Sequence, residues 1–218
     1  STYQGIFRNP LVSPDVLGVS RCAGFGSVLG ILLFGMSATT SLLAFVFGLG
    51  SVFLTYLFAR ARGQTTMMSL VLSGMIVSAI FAALISLVKY VADPYDALPA
   101  ITYWLMGSFS KATFEDLRYI FIPLTASLAV LNLVRWRINI LSLGEEESKS
   151  LGVNPTRIKF IAIIASTVLT ALSVTVVGIV GWVGLVIPHI TRLLFGVDHK
   201  VLLPASCFIG AIFLTVVD

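Results

Sequence analysis

The residues whose types could do chemistry gather in two short stretches. One is Gly184-Leu185-Val186-Ile187-Pro188-His189-Ile190-Thr191-Arg192, followed by Gly196-Val197-Asp198-His199-Lys200-Val201-Leu202-Leu203-Pro204. His189 and His199 invite a metal reading, with Asp198 beside the second. They stand ten residues apart across a proline and a glycine, whereas compact metal sites use tighter pairs and more ligands. No metal site is therefore expected, and the histidines read as hydrogen-bonding groups of a hinge formed by Gly184, Pro188, His189 and Arg192. Arg192 is expected to snorkel toward an interface. An enzyme using either histidine would need a converging nucleophile or ligand set, and none is evident, so no catalytic residue is assigned. The other stretch, Leu143-Gly144-Glu145-Glu146-Glu147-Ser148-Lys149-Ser150-Leu151-Gly152-Val153-Asn154-Pro155, is acidic and bounded by glycines. It reads as a short amphipathic helix ended by Gly152 and Pro155. Such a helix suits a groove on a soluble partner, and a solvated connector would look the same by composition.

The elements that position these residues are set by lipid. The chain is 57% hydrophobic and 11% charged, with a mean hydropathy of +1.01. A soluble core needs more charge than this. Long uncharged runs separate Arg21 from Arg60, Arg62 from Lys89, Lys159 from Arg192, and Val201 from the end of the chain. Most are long enough to cross a hydrocarbon layer of roughly 30 Å. The run from Tyr119 is shorter and needs its flanks. In lipid each backbone polar group must be satisfied locally, so these runs are expected to be helices. The net charge of +4 does not point to nucleic acid, because the basic residues flank apolar runs and form no stripe. Cys22 and Cys207 lie in or beside apolar runs and read as packed thiols.

Seven crossings are expected, near 18–35, 40–60, 65–90, 116–135, 158–178, 182–195 and from 201 onward. Turns at Gly35–Thr40 and at Gly178, Gly181 and Gly184 divide the two longest gaps. Alternating crossings place eleven basic residues on one side and three (Lys89, Lys111, Arg118) on the other. The positive-inside rule makes the first side cytoplasmic. The longest inner loop is 136–157, and an outer loop, 91–116, holds Tyr103 and Trp104 with a short interfacial helix. In the helix near 65–90, Ser69, Ser73, Ala82 and Ser86 recur at helical spacing, with Gly74 and Ser78 adjacent. Small residues there serve either close helix packing or a pathway wall.

Four blocks carry a resemblance. Leu143-Gly144-Glu145 with Leu151-Gly152 resembles the coupling loop of ABC importer permeases. Gly184–Arg192 with Asp198-His199-Lys200 and Leu202-Leu203-Pro204 resembles the permease family for iron chelates, haem and vitamin B12. Asn9-Pro10-Leu11 with Pro14, Leu17-Gly18-Val19 and Gly24, and the block Tyr103-Trp104-Leu105-Met106-Gly107, are similar to further segments of that family. The blocks occur in the family's order over nearly the whole chain.

The resemblance implies an all-α polytopic transmembrane helix bundle, a single permease domain over 1–218, with about seven of the family's ten or so helices. The chain starts at Ser1 without Met and stops after an apolar run, so both ends read as cut, with two N-terminal helices and one C-terminal helix expected to be absent. It further implies a multi-pass protein of a bacterial or archaeal cytoplasmic membrane, working with a second permease copy, cytoplasmic ATPase subunits and an extracytoplasmic substrate-binding protein. No Gly-x-x-x-x-Gly-Lys-Ser/Thr run occurs, so ATP and Mg belong to the partner ATPase and no cofactor is expected on this chain. On this resemblance Leu143, Gly144, Glu145, Glu147, Leu151 and Gly152 couple to the ATPase. Ser69, Ser73, Gly74, Ser78, Ala82 and Ser86 line the pathway, and Thr65, Thr66 and Met67 sit at the cytoplasmic gate. Glu146 and Glu147 stand where coupling helices more often carry small or polar residues. The expected cargo is a metal chelate, most commonly an iron-siderophore, with haem, cobalamin and oxyanions such as molybdate as alternatives. A secondary transporter is the competing class, and it would usually hold ionisable residues inside its helices, whereas nearly all charges here lie at helix ends.

Overall fold

Glycines set most of the helix ends. The computed structural model describes residues 1–61 and 66–217, apart from the side chain of Lys111. Every regular element among the described residues is a helix. In order they are α1 (Thr2–Phe7), α2 (Val19–Phe34), α3 (Ala38–Ala61), α4 (Met67–Val91), α5 (Ala97–Met106), α6 (Phe114–Leu143), α7 (Glu145–Ser150), α8 (Pro155–Val177), α9 (Val183–Phe195) and α10 (His199–Val217). Short 3-10 turns cover Pro14–Leu17 and Phe109–Lys111. Gly35, Gly107, Gly178 and Gly196 each follow a helix with positive φ, a conformation that costs glycine nothing.

All seven expected crossings have a helical counterpart. Five of them, α3, α4, α6, α8 and α10, are long and apolar enough to cross a membrane. The other two are shorter: α2 has 16 residues and α9 has 13. At 1.5 Å per residue they reach about 24 and 20 Å, short of a full hydrocarbon layer. Large apolar side chains such as Phe53, Met75, Leu133 and Phe208 stand exposed along these helices, as lipid-facing surface requires.

One boundary differs from expectation. The inner loop was expected from residue 136, but α6 continues to Leu143. Arg135, Arg137 and Asn139 mark where the apolar run stops, and no helix breaker occurs there before Gly144. Charge reports the edge of the lipid, while the end of the helix waits for glycine. The start of α6 is fixed by a capping box: the Asp116 amide donates to Thr113 Oγ1 at 3.2 Å, and the Thr113 amide donates to Asp116 Oδ2 at 3.0 Å.

The chain divides into two compact units: Ser1–Ser13, Pro123–Ser166 and Gly181–Asp218 form the first, Pro14–Ile122 and Thr167–Val180 the second. In the second unit α2 packs on α3 at backbone range. A Cβ on Gly26 would fall on the Leu43 carbonyl, and one on Gly30 would lie 2.8 Å from Thr40 Cα. Small residues permit that approach where no water-driven force holds helices together. The core around them joins Val28, Ile31, Ile85, Val88, Ile101 and Trp104. Beside it Phe25, Phe47 and Phe81 meet edge to face, with centroids 5.3 to 6.2 Å apart. In the first unit, buried α1 and the turn between α9 and α10 frame the C-terminal end of α6.

Candidate functional site

The acidic segment folds as a small knob on the first unit. Gly144, at the end of α6, is the N-cap of α7. The C-terminal end of α7 is a complete Schellman motif. The Gly152 amide donates to the Lys149 carbonyl at 3.0 Å, and the Val153 amide donates to the Ser148 carbonyl at 2.9 Å. Gly152 sits at φ +75°, and a Cβ there would meet nothing within 4 Å. Asn154 Oδ1 then accepts from the Arg157 amide at 3.1 Å and starts α8, with Pro155 at its first position.

The knob is fixed to its flanking helices from inside. Ser148 is fully buried, and its hydroxyl donates to the Ile140 carbonyl at 3.0 Å and to the Gly144 carbonyl. Val153 packs with Ile140, Leu141 and Ile158. Glu145 pairs with Lys159 of α8. The hydrogen bond from Lys159, and then its charge, holds the Glu145 carboxyl below the usual glutamate range. Leu143, Glu145, Glu146, Glu147, Leu151 and Gly152 stay exposed, so the knob presents two leucines around a carboxylate face. Five of the six residues expected to couple are thus exposed on one surface feature, and the sixth, Gly144, is buried as the N-cap of α7. Ser148, which anchors the knob, is not among the residues the sequence points to; its signal is a short hydroxyl set between Glu147 and Lys149 in a charged turn.

The hinge residues fall elsewhere than a hinge would. Gly184, Pro188, His189 and Arg192 all lie inside α9, and the chain leaves helical geometry before them, between Gly178 and Trp182. Gly178 at φ +75° and Trp182 at φ +66° make that break. Pro188 is buried and His189 is exposed. Arg192 reaches inward rather than outward: its Nη2 donates to Gln4 Oε1 at 2.7 Å. His199 is buried and accepts its place from Asn139, whose Oδ1 takes the His199 amide at 2.8 Å and faces the ring Nδ1 at 2.9 Å. Asn139 Nδ2 in turn donates to Asp198. Since that orientation makes Oδ1 the acceptor, Nδ1 is the protonated ring nitrogen. The Lys200 amide at 2.9 Å and the Asn139 amide hold the Asp198 carboxyl below its ordinary range. Only glycine fits opposite the ring, because a Cβ on Gly5 would strike His199 Nε2. Among the described residues no three His, Cys, Asp or Glu side chains gather as a metal site.

The small residues of α4 are mostly occupied. Ser73 and Gly74 are buried, and a Cβ on Gly74 would collide with the Val16 carbonyl oxygen. Ser78 and Val77 abut Gly18 from the same side, and Ser69 donates to the Ala59 carbonyl at 3.2 Å. Gly74, Ser78 and Ser69 therefore seat the chain at Val16–Gly18 and α3. Ala82 is half-buried, while Ser86 is exposed and bonds only to the Ala82 carbonyl at 3.1 Å. Thr66 is the N-cap of α4, accepting from the Ser69 amide, and Met67 is half-buried. Thr65 lies outside the described residues.

With this geometry in place, comparison with known proteins becomes specific. The model of the FecCD transport family matches residues 1–218. The molybdate import system permease protein MolB of Haemophilus influenzae is 42% identical over 219 residues, covering 99% of this chain and 64% of that protein. A permease protein of Helicobacter pylori, named for a probable iron chelatin transport system, is 40% identical over 215 residues, covering 99% and 65%. A solved structure, assigned to the metal-chelate type of ABC transporter in an inward-facing conformation, superposes with a TM-score of 0.92 at 41% identity, covering 100% of this chain and 70% of that one. The chain belongs to the FecCD transport family and is a multi-pass membrane protein. It spans just under two thirds of the length of the two curated relatives described.

Proposed function

We propose that this chain forms the main part of the permease subunit of a binding-protein-dependent ABC importer, moving a metal chelate into the cytoplasm by ATP-driven alternating access. ATP hydrolysis is the work of a separate subunit. A second permease copy, two ATPase subunits and an external binding protein complete the machine. The observation that carries this reading is the knob: a turn of helix fastened from inside by Ser148 and Glu145, whose Leu143, Glu146, Glu147 and Leu151 side chains stay exposed. ATP binding shifts a conformational equilibrium only through contacts that differ between states, and α7 is where that bias enters. Of the small residues on α4, Ala82 and Ser86 remain the pathway positions best placed to be reached by cargo. Thr66 and Met67 mark the gate end of the same helix.

Iron chelate is the cargo favoured by the family and by the Helicobacter relative's name. Molybdate is the second reading, favoured by the name of the relative that is 42% identical. The wall of α4 carries no acidic group between Met67 and Val91, so a chelate would pass without being trapped. The test places a cysteine at Glu147 in the assembled transporter. Labelling only after the cytoplasmic face is opened, and cross-linking to the ATPase subunit, are the expected results. Labelling from outside intact cells would overturn both orientation and docking.

A further inference from the structure

We propose that a groove in the first unit, at the inner ends of α1, α6 and α9, binds the phosphate of an anionic phospholipid. The groove has a volume of about 560 Å³ and is lined by Gln4, Arg8, Asn139, Ser142, Arg192 and Asp198, among others. That size lies within the range of ligand sites. Two guanidinium groups reach it. Arg8 is pinned at the end of α6, with Nε and Nη2 donating to the Leu141 carbonyl at 3.2 and 3.0 Å. Arg192 is half-buried and bonds to the neutral amide of Gln4. Neither has a carboxylate within ion-pair distance, since the one ion pair among the described residues is Lys159 with Glu145, and the Arg8 charge acts on the Glu145 carboxyl only from farther away. The only acid on the groove wall, Asp198, is engaged by Asn139 and the Lys200 amide.

A half-buried guanidinium without a counter-ion is costly, and its planar fork fits phosphate oxygens. The rim says where the phosphate comes from. Leu143 and Val197 line the groove, and Leu193, Leu194 and Phe195, which lie between the lining residues Arg192 and Val197 in sequence, are exposed at the end of α9. A free phosphate gains nothing from that apolar border, whereas acyl chains would cover it. Basic pockets at the cytoplasmic leaflet are the kind that hold anionic head groups. The inference rests on the inner-side placement given under the proposed function.

The test is lipid retention by the complete transporter, read by native mass spectrometry without any measurement of transport or ATP hydrolysis. Short-chain phosphatidylglycerol, short-chain phosphatidylcholine and inorganic phosphate are titrated separately. Phosphatidylglycerol is expected to bind best. Arg8→Gln and Arg192→Gln should each weaken it about fivefold, in line with the contribution of one basic residue near a membrane surface. Arg137→Gln, an equal loss of charge on exposed α6 outside the groove, should leave it unchanged. If Arg192→Gln fails to assemble, Arg192→Lys keeps the charge and should bind between wild type and Arg8→Gln. Phosphate binding as tightly as phosphatidylglycerol would assign the groove to a free anion and overturn the lipid. Equal retention of both lipids, or equal loss in Arg137→Gln, would overturn the site altogether. A transporter that holds phosphatidylglycerol while its knob touches no ATPase would refute the coupling role and leave this site standing.

Discussion

Gly152 separates two explanations of the knob more sharply than any other position. Its φ of +75° is left-handed, and a Cβ there would meet nothing within 4 Å. A side chain at 152 therefore costs the chain only the backbone term, about 1–2 kcal/mol for alanine and less for asparagine, which tolerates that region. Against a stability on the order of 5–15 kcal/mol, all such variants should still fold and reach the membrane. Gly152→Asn and Gly152→Ala should consequently keep most binding-protein-stimulated ATP hydrolysis in proteoliposomes. Gly152→Trp carries the same backbone cost, and its indole projects into space that is empty in this chain alone. If the knob seats in a groove of the ATPase subunit, that space is occupied, and Gly152→Trp should lose stimulated hydrolysis at least about tenfold, equivalent to 1.4 kcal/mol of docking energy. Wild-type coupling in Gly152→Trp would refute the docking argument. An equal loss in Gly152→Ala would show that backbone strain, not occupancy of the groove, is what matters.

Further outcomes follow from the same geometry. Ser148→Ala removes the buried donor to the Ile140 and Gly144 carbonyls and should cost about 1–3 kcal/mol, seen as faster hydrogen exchange over residues 145–153. Lys159→Ala should return the Glu145 carboxyl toward its ordinary titration range, observable by carboxyl-carbon NMR of labelled glutamate. Because pairing lowers that pKa, its stabilisation is present above the unfolded value near 4.5 and fades as pH falls through the folded one. At an exposed glutamate it amounts to no more than about 1 kcal/mol, so acidification should change thermal stability little through this pair. Gly74→Ala drives a methyl into the Val16 carbonyl and should destabilise by on the order of 2–4 kcal/mol, measured as a lowered unfolding temperature in detergent.

What the sequence revealed was decided locally. Glycines and prolines end helices through their own backbone preferences, so the breaks at Gly35, Gly144, Gly152 and Gly178 were legible, as was the knob between two of them. The extension of α6 was hidden because the switch from apolar to charged residues at Arg135 is a statement about solvent, not about helix formation. The limits of α2 and α9 were legible to within about a residue, since Gly18, Gly35 and Gly196 stand at three of their four ends. Asn139, Arg8 and Gln4 could not be found from spacing. Their importance comes from partners 60 to 188 positions away, as in Asn139 with His199 and Arg192 with Gln4. The small residues of α4 illustrate the same limit. Serine at helical spacing suits a wall and a packing seam equally, and only the Val16 carbonyl against Gly74 tells them apart.

The way the knob is fastened bears on how force is used. Its buried serine grips the end of one long helix, its first glutamate grips the start of the next, and Val153 plugs the space between. A push on α7 thus meets no soft spring at the point of application. Under the proposed docking to an ATPase subunit, little work would be dissipated in bending the handle, and the two rods attached to it would travel with the hand that holds it.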